Sequence, residues 1–180
     1  MNAVAGKALT SNHFELFGLE PVFALNADSL DCAYRDIQAK VHPDRFAHAG
    51  DAERRASLQW TTRVNEAYRA LKNPVQRASH ILALQGVDVA FETNTAMPAD
   101  FLVQQMALRE SLEEAVEAKD AASLDSLRKG LVEEKSKLEK QLGESIDAKN
   151  DYAGAAGLVR KLMFLDRLDS EIDLAYEALD

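Results

Sequence analysis

Leu30-Asp31-Cys32-Ala33-Tyr34-Arg35-Asp36-Ile37-Gln38-Ala39-Lys40-Val41-His42-Pro43-Asp44 is the stretch that decides the fold. Leu30, Tyr34, Ile37 and Val41 recur at i, i+4, i+7 and i+11, the apolar stripe of an α-helix rather than the alternation of a strand. Asn26 stands where an N-cap belongs, with Asp28 in the first turn. Pro43 disfavours helical geometry at the residue before it, so the helix stops at His42. The same proline fixes φ near about −65° and has no N–H, so it presents His42 and Asp44 from a stiff turn. Downstream, a polar loop containing Gly50 leads to a second amphipathic pattern, Trp60, Val64, Ala67 and Leu71, with Asp51 as its expected cap. Asn73-Pro74 closes that pattern and opens a short helix to Gln85. Upstream, Phe14, Phe17 and Leu19 mark a short helix or turn stopped by Gly18 and Pro21.

Farther out, Gly86 to Pro98 has mixed polarity and no sustained period, and reads as a linker. Three longer helical patterns follow. The first spans about 99–119. The second has Asp120 as cap and Leu124, Leu127, Leu131, Leu138 and Leu142 as its face. The third has Asp151 as cap and Leu158, Leu162, Leu165, Ile172 and Tyr176 among its apolar residues. Nothing reads as a β-strand. The expected fold is all-α: a helical hairpin with an extra helix over 13–85, a linker over 86–98, and a three-helix bundle over 99–180, preceded by a disordered or extended segment over 1–12. Uninterrupted helical periodicity on each side of one aperiodic stretch predicts an L-shaped arrangement.

The 180 residues carry a net charge of −9. Residues 1–75 are neutral, with nine basic and nine acidic side chains, so the whole excess sits in the second half. A duplex-binding protein needs clustered Lys and Arg, and this balance argues against nucleic acid and against an anionic membrane surface. Cys32 is alone, which excludes an internal disulfide and a paired-cysteine metal site. No apolar run approaches the ~18 residues of a membrane span, and 1–12 lacks the apolar core of a secretory signal. These features predict a cytoplasmic protein.

His42-Pro43-Asp44 alone is a weak signal: a helix stop followed by a turn would account for it. Its context is specific. A short aromatic helix precedes it and basic residues Arg35 and Lys40 lead in. Val64-Asn65-Glu66-Ala67-Tyr68-Arg69-Ala70-Leu71, Asn73-Pro74 and Arg77-Ala78 follow. Over about 13–80 this resembles the J-domain family, co-chaperones of DnaK-type ATPases. Phe101-Leu102-Val103-Gln104-Gln105-Met106-Ala107-Leu108-Arg109-Glu110 and Val159-Arg160-Lys161-Leu162-Met163-Phe164-Leu165 extend the likeness to the HscB family, the J-type co-chaperones of bacterial iron–sulfur cluster assembly. The resemblance implies docking of His42, Pro43 and Asp44 on an HscA-type chaperone, stimulation of its ATPase, and capture of the scaffold protein IscU by the bundle. It implies no enzyme activity, no cofactor and no metal. The family often has Lys where this chain has Arg45, and often an acidic residue at Ala107. Arg35, Lys40 and Arg45 would complement an acidic groove on the chaperone, acting more on encounter than on affinity.

An angular count sharpens the second site. At about 100° per residue, Phe101, Leu108, Leu112 and Ala115 share the stripe that suits the bundle core. Leu102, Val103 and Met106 lie roughly 100–160° from its centre, and Glu110 and Glu114 continue their face. Leu102, Val103, Met106, Glu110, Glu114 and, from the third helix, Phe164 match the family's client-contact positions. The expectation is one exposed apolar patch that includes Phe164. A J-domain co-chaperone with a different client would have the same first half. An enzyme using His42, Asp44 and His48 as metal ligands or acid–base groups has no supporting motif around His48, and His13 and His80 read as ordinary helix residues. A plain helical scaffold carrying the tripeptide by accident would stimulate no DnaK-type ATPase.

Overall fold

The computed structural model describes residues 11–89 and 98–179. The expected disordered segment over 1–12 lies outside these residues except for Ser11 and Asn12, and so does the part of the expected linker over 90–97. Among the described residues there are seven α-helices and no strand: α1 (His13–Phe17), α2 (Ala27–Val41), α3 (Asp51–Lys72), α4 (Pro74–Leu84), α5 (Ala99–Glu117), α6 (Ala121–Gly143) and α7 (Tyr152–Leu179). The chain divides into two compact units, Met1–Ile81 and Leu82–Asp180.

In the first unit α2 and α3 form an antiparallel hairpin. Its core joins Leu30 of α2 to Val64, Ala67 and Leu71 of α3, with Phe14 and Phe17 of α1 buried as well. Fully burying side chains of this size contributes about 1.5–3 kcal/mol each. Local rules set the ends. Asn26 Oδ1 accepts from the Ser29 N–H at 2.9 Å, and Asn73 Oδ1 accepts from the Gln76 N–H at 2.9 Å. Gly18 ends α1 at φ 65°, a conformation that costs glycine nothing. Asp51 is not the cap of α3. Gly50 takes that position without a side-chain bond, and Asp51, one residue inside, pairs with Arg54 instead.

The second unit is a three-helix bundle. Asp120 caps α6 through the Ala122 and Ser123 N–H groups at 3.0 and 3.2 Å, and Asp151 caps α7 through the Gly154 N–H at 2.9 Å. A π-helical turn, Glu144–Ala148, extends α6 and buries Ile146. Helices α6 and α7 run antiparallel along a charged seam. Lys135 Nζ lies 2.6 Å from Asp166 and 3.3 Å from Asp169, and Arg128 pairs with Asp173. Partial burial works against the Lys135 charge, but the two carboxylates outweigh it and raise its pKa. The buried face of α7 is Val159, Leu162, Leu165, Leu168 and Ile172. Leu127, Leu158 and Tyr176, expected in the core, are half-buried at its edge.

Candidate functional site

The tip of the α2–α3 hairpin carries the first candidate site. A helix end leaves carbonyls without intrahelical donors, and here Pro43 removes one donor more. The amide in register with the Ala39 carbonyl belongs to Pro43 and has no hydrogen. Arg45 Nη1 donates to that carbonyl instead, at 2.7 Å. The Val41 carbonyl accepts from Ser57 Oγ at 2.6 Å and Thr61 Oγ1 at 3.3 Å, while the Arg45 N–H donates to the His42 carbonyl at 3.1 Å. The loop itself is a 3₁₀ turn, Pro43–Phe46. Inside it the Asp44 N–H donates to His42 Nδ1 at 3.3 Å, which requires a lone pair on that nitrogen. The two side chains stay in solvent, 52% exposed for His42 and 90% for Asp44. Arg35 and Lys40 are exposed on α2 and Arg45 in the turn, but the Arg45 guanidinium is tied to Ala39, so it also serves the turn's own structure.

Behind the tip a polar seam locks the hairpin register. Tyr34 and Tyr68 stack at 4.1 Å, and Tyr34 Oη donates to Asn65 Oδ1 at 2.9 Å. Tyr68 Oη donates to Asp31 Oδ1 at 2.9 Å, and Lys72 Nζ reaches the same carboxylate at 2.8 Å. The hydrogen bond from Lys72, then that from Tyr68, holds the Asp31 pKa below its ordinary value. Asn65 and Tyr68, motif letters in the sequence, therefore help to hold α3 on α2. Among the described residues no three His, Cys, Asp or Glu side chains form a group able to hold a metal ion, so His42, Asp44 and His48 do not make one.

The outer face of α5 carries the second candidate site. Leu102, Val103 and Met106 are 44%, 67% and 72% exposed, while Phe101, Leu112 and Ala115 are buried. The two faces are those of the angular count. Glu110 and Glu114 are exposed on the same helix. Phe164 does not join them. It is 8% exposed, with its ring 5.8 Å from that of Phe101 at an interplanar angle of 82°. The reason is the parallel run of α5 and α7, which puts Phe101 edge-on against Phe164, a favoured aromatic geometry. The Arg109 guanidinium lies 5.6 Å from the Phe164 ring and Lys161 Nζ 5.1 Å from the Phe101 ring. No periodicity points to these two cations, because each is defined by a ring on another helix.

The family model described as HSCB C-terminal oligomerisation domain matches residues 97–173. The chain is 49% identical over 173 residues to the co-chaperone protein HscB homolog of Burkholderia cenocepacia, covering 96% of this chain and 98% of that one. It is likewise 49% identical over 174 residues to the homolog of Paraburkholderia xenovorans, with the same coverage. Among solved structures it is similar to chaperone HscB from Vibrio cholerae (TM-score 0.81, 34% identity, 94% of this chain and 100% of that chain). Human co-chaperone protein HscB shares the fold (TM-score 0.85, 24% identity, 92% of this chain and 82% of that chain).

Proposed function

Since the chain belongs to the HscB family of co-chaperones in iron–sulfur cluster assembly, we propose that it joins a DnaK-type chaperone of the HscA kind to the scaffold protein IscU in the cytoplasm. Residues 13–85 act as the J-domain. Its turn His42-Pro43-Asp44 docks on the ATP-bound chaperone and stimulates hydrolysis, with Arg35, Lys40 and Arg45 steering the encounter through an acidic groove. Residues 99–180 hold the scaffold. Leu102, Val103 and Met106 supply apolar contact area, and Glu110 and Glu114 supply charge at its margin. Phe164 supports this surface from beneath, through Phe101, rather than lying on it. The chain performs no bond chemistry of its own. It raises the effective concentration of client at the chaperone, and hydrolysis then closes the chaperone on the client and promotes cluster transfer.

The observation that carries this reading is the solvent-facing His42-Pro43-Asp44 turn, fastened at the tip of a locked hairpin whose own side chains satisfy its carbonyls. The test is steady-state ATP hydrolysis by the purified HscA-type chaperone, with and without this protein and with and without IscU. The expected result is stimulation by the protein alone and a larger one with IscU. An ATPase rate unmoved by the protein in either condition contradicts the reading.

A further inference from the structure

Ser57 stands out because it is the one polar side chain buried among the described residues, 4% exposed, and it lies on α3 rather than in the turn. Its Oγ donates to the Val41 carbonyl at 2.6 Å, and Thr61 Oγ1, one helical turn on, donates to the same oxygen at 3.3 Å. Val41 is the last residue of α2 and precedes the His42-Pro43-Asp44 turn directly. Its carbonyl has lost its in-register donor, because the Arg45 N–H bonds to His42 instead. From these contacts we infer that Ser57 and Thr61 are positioning residues for the chaperone-stimulating turn: a two-hydroxyl clasp on the peptide from which His42 departs.

A carbonyl held by two donors from one side cannot swing about the helix axis, and the peptide plane that contains it also sets the direction in which His42 leaves α2. Pro43 fixes the next φ. The Val41–His42 peptide and the proline ring therefore bracket His42, and the clasp turns a stiff tripeptide into one with a defined aim relative to α3. Stability of the hairpin alone does not call for this arrangement. The Tyr34–Tyr68 stack and the apolar core around Leu30 and Val64 already join the two helices. The buried hydroxyl of Ser57 is satisfied by the carbonyl it holds.

This inference rests on the J-domain reading above, and the experiment separates the two. The variants are Ser57→Ala combined with Thr61→Val, which removes both hydroxyls, and Thr61→Ser, which keeps them. Chaperone ATPase is titrated with each at a temperature well below its melting transition. The double variant should reach a maximal stimulation about five- to tenfold lower, the factor expected for one net hydrogen bond of orientation. Thr61→Ser should match the parent. Nitrogen-15 relaxation should show the Asp44 and Arg45 amides more mobile in the double variant while those of Asn65 to Leu71 stay as in the parent. Full maximal stimulation by the double variant, whatever its melting temperature, overturns the clasp as a positioning device. A parent that stimulates no ATPase overturns the J-domain reading and the clasp with it; unchanged amide mobility in the double variant overturns the clasp alone.

Discussion

His42, the proposed docking residue, has little of its environment in the core. Its ring is half in solvent and its one side-chain hydrogen bond is the acceptor role of Nδ1 toward the Asp44 N–H. His42→Gln should therefore abolish stimulation of the chaperone ATPase and leave the thermal melt within a degree or two of the parent. Stimulation at the parental level would show that this turn is not the docking element. Phe164 is the opposite case. Buried on Phe101, it should cost about 3–5 kcal/mol of unfolding free energy when cut to Ala, read as a shift of the denaturant midpoint. The exposure of Leu102 was legible in the sequence, because one helix's periodicity divides its own faces. The burial of Phe164 was not, because it depends on α5 running parallel to α7, and no count along α7 contains that information. The Ser57 hydroxyl was hidden for the same reason: its partner is a backbone oxygen sixteen residues away.

At the scale of elements, the helices follow from local rules: apolar spacing, Asn26, Asn73, Asp120 and Asp151 at caps, and Pro43 as a stop. Asp51 failed as a cap because Gly50 already had the extended backbone of that position, and the carboxylate found Arg54. The α5 face gives a prediction of this scale. Leu102 and Met106 truncated together to Ala should weaken IscU binding by about ten- to several tens-fold in a calorimetric titration, with a denaturant midpoint close to the parent's. Unchanged binding with a collapsed transition would mean that this face is core. A second prediction concerns the clasp of α1 on α4. The His13 and His80 rings stack at 4.1 Å, and the His13 N–H donates to His80 Nε2 at 3.2 Å. Burial, then His80 and Arg63, lowers the His13 pKa to about 4, and burial followed by Arg63 lowers that of His80. The unfolded chain takes up these protons near the ordinary histidine pKa of about 6.5, so it binds more protons than the folded state below that pH. Stability is then level above about pH 6.5 and falls as the pH drops toward 4. Denaturant midpoints at pH 7.5 and 5.0 should differ, and a His13→Asn, His80→Gln variant should flatten the difference; an equal loss in both proteins would place the acid sensitivity elsewhere.

For the whole molecule, the division into Met1–Ile81 and Leu82–Asp180 matters because the proposed activity needs both units on one chain. Each would bind its partner alone, and only their covalent union makes client delivery intramolecular at the chaperone. The charge asymmetry of the sequence belongs to the same division: the neutral first half carries the exposed basic residues of α2, while the acidic excess lies in the bundle half. The measurement that tests this most directly is trans-complementation in the chaperone ATPase assay with IscU at sub-saturating concentration. His42→Gln keeps the scaffold face and lacks the stimulating turn; the Leu102→Ala, Met106→Ala variant keeps the turn and lacks the face. Their equimolar mixture should show only the stimulation that the second variant gives alone, far below that of the intact protein at the same concentration. Full recovery of the scaffold-dependent stimulation by the mixture would contradict the account, because the two units would then have no need of each other.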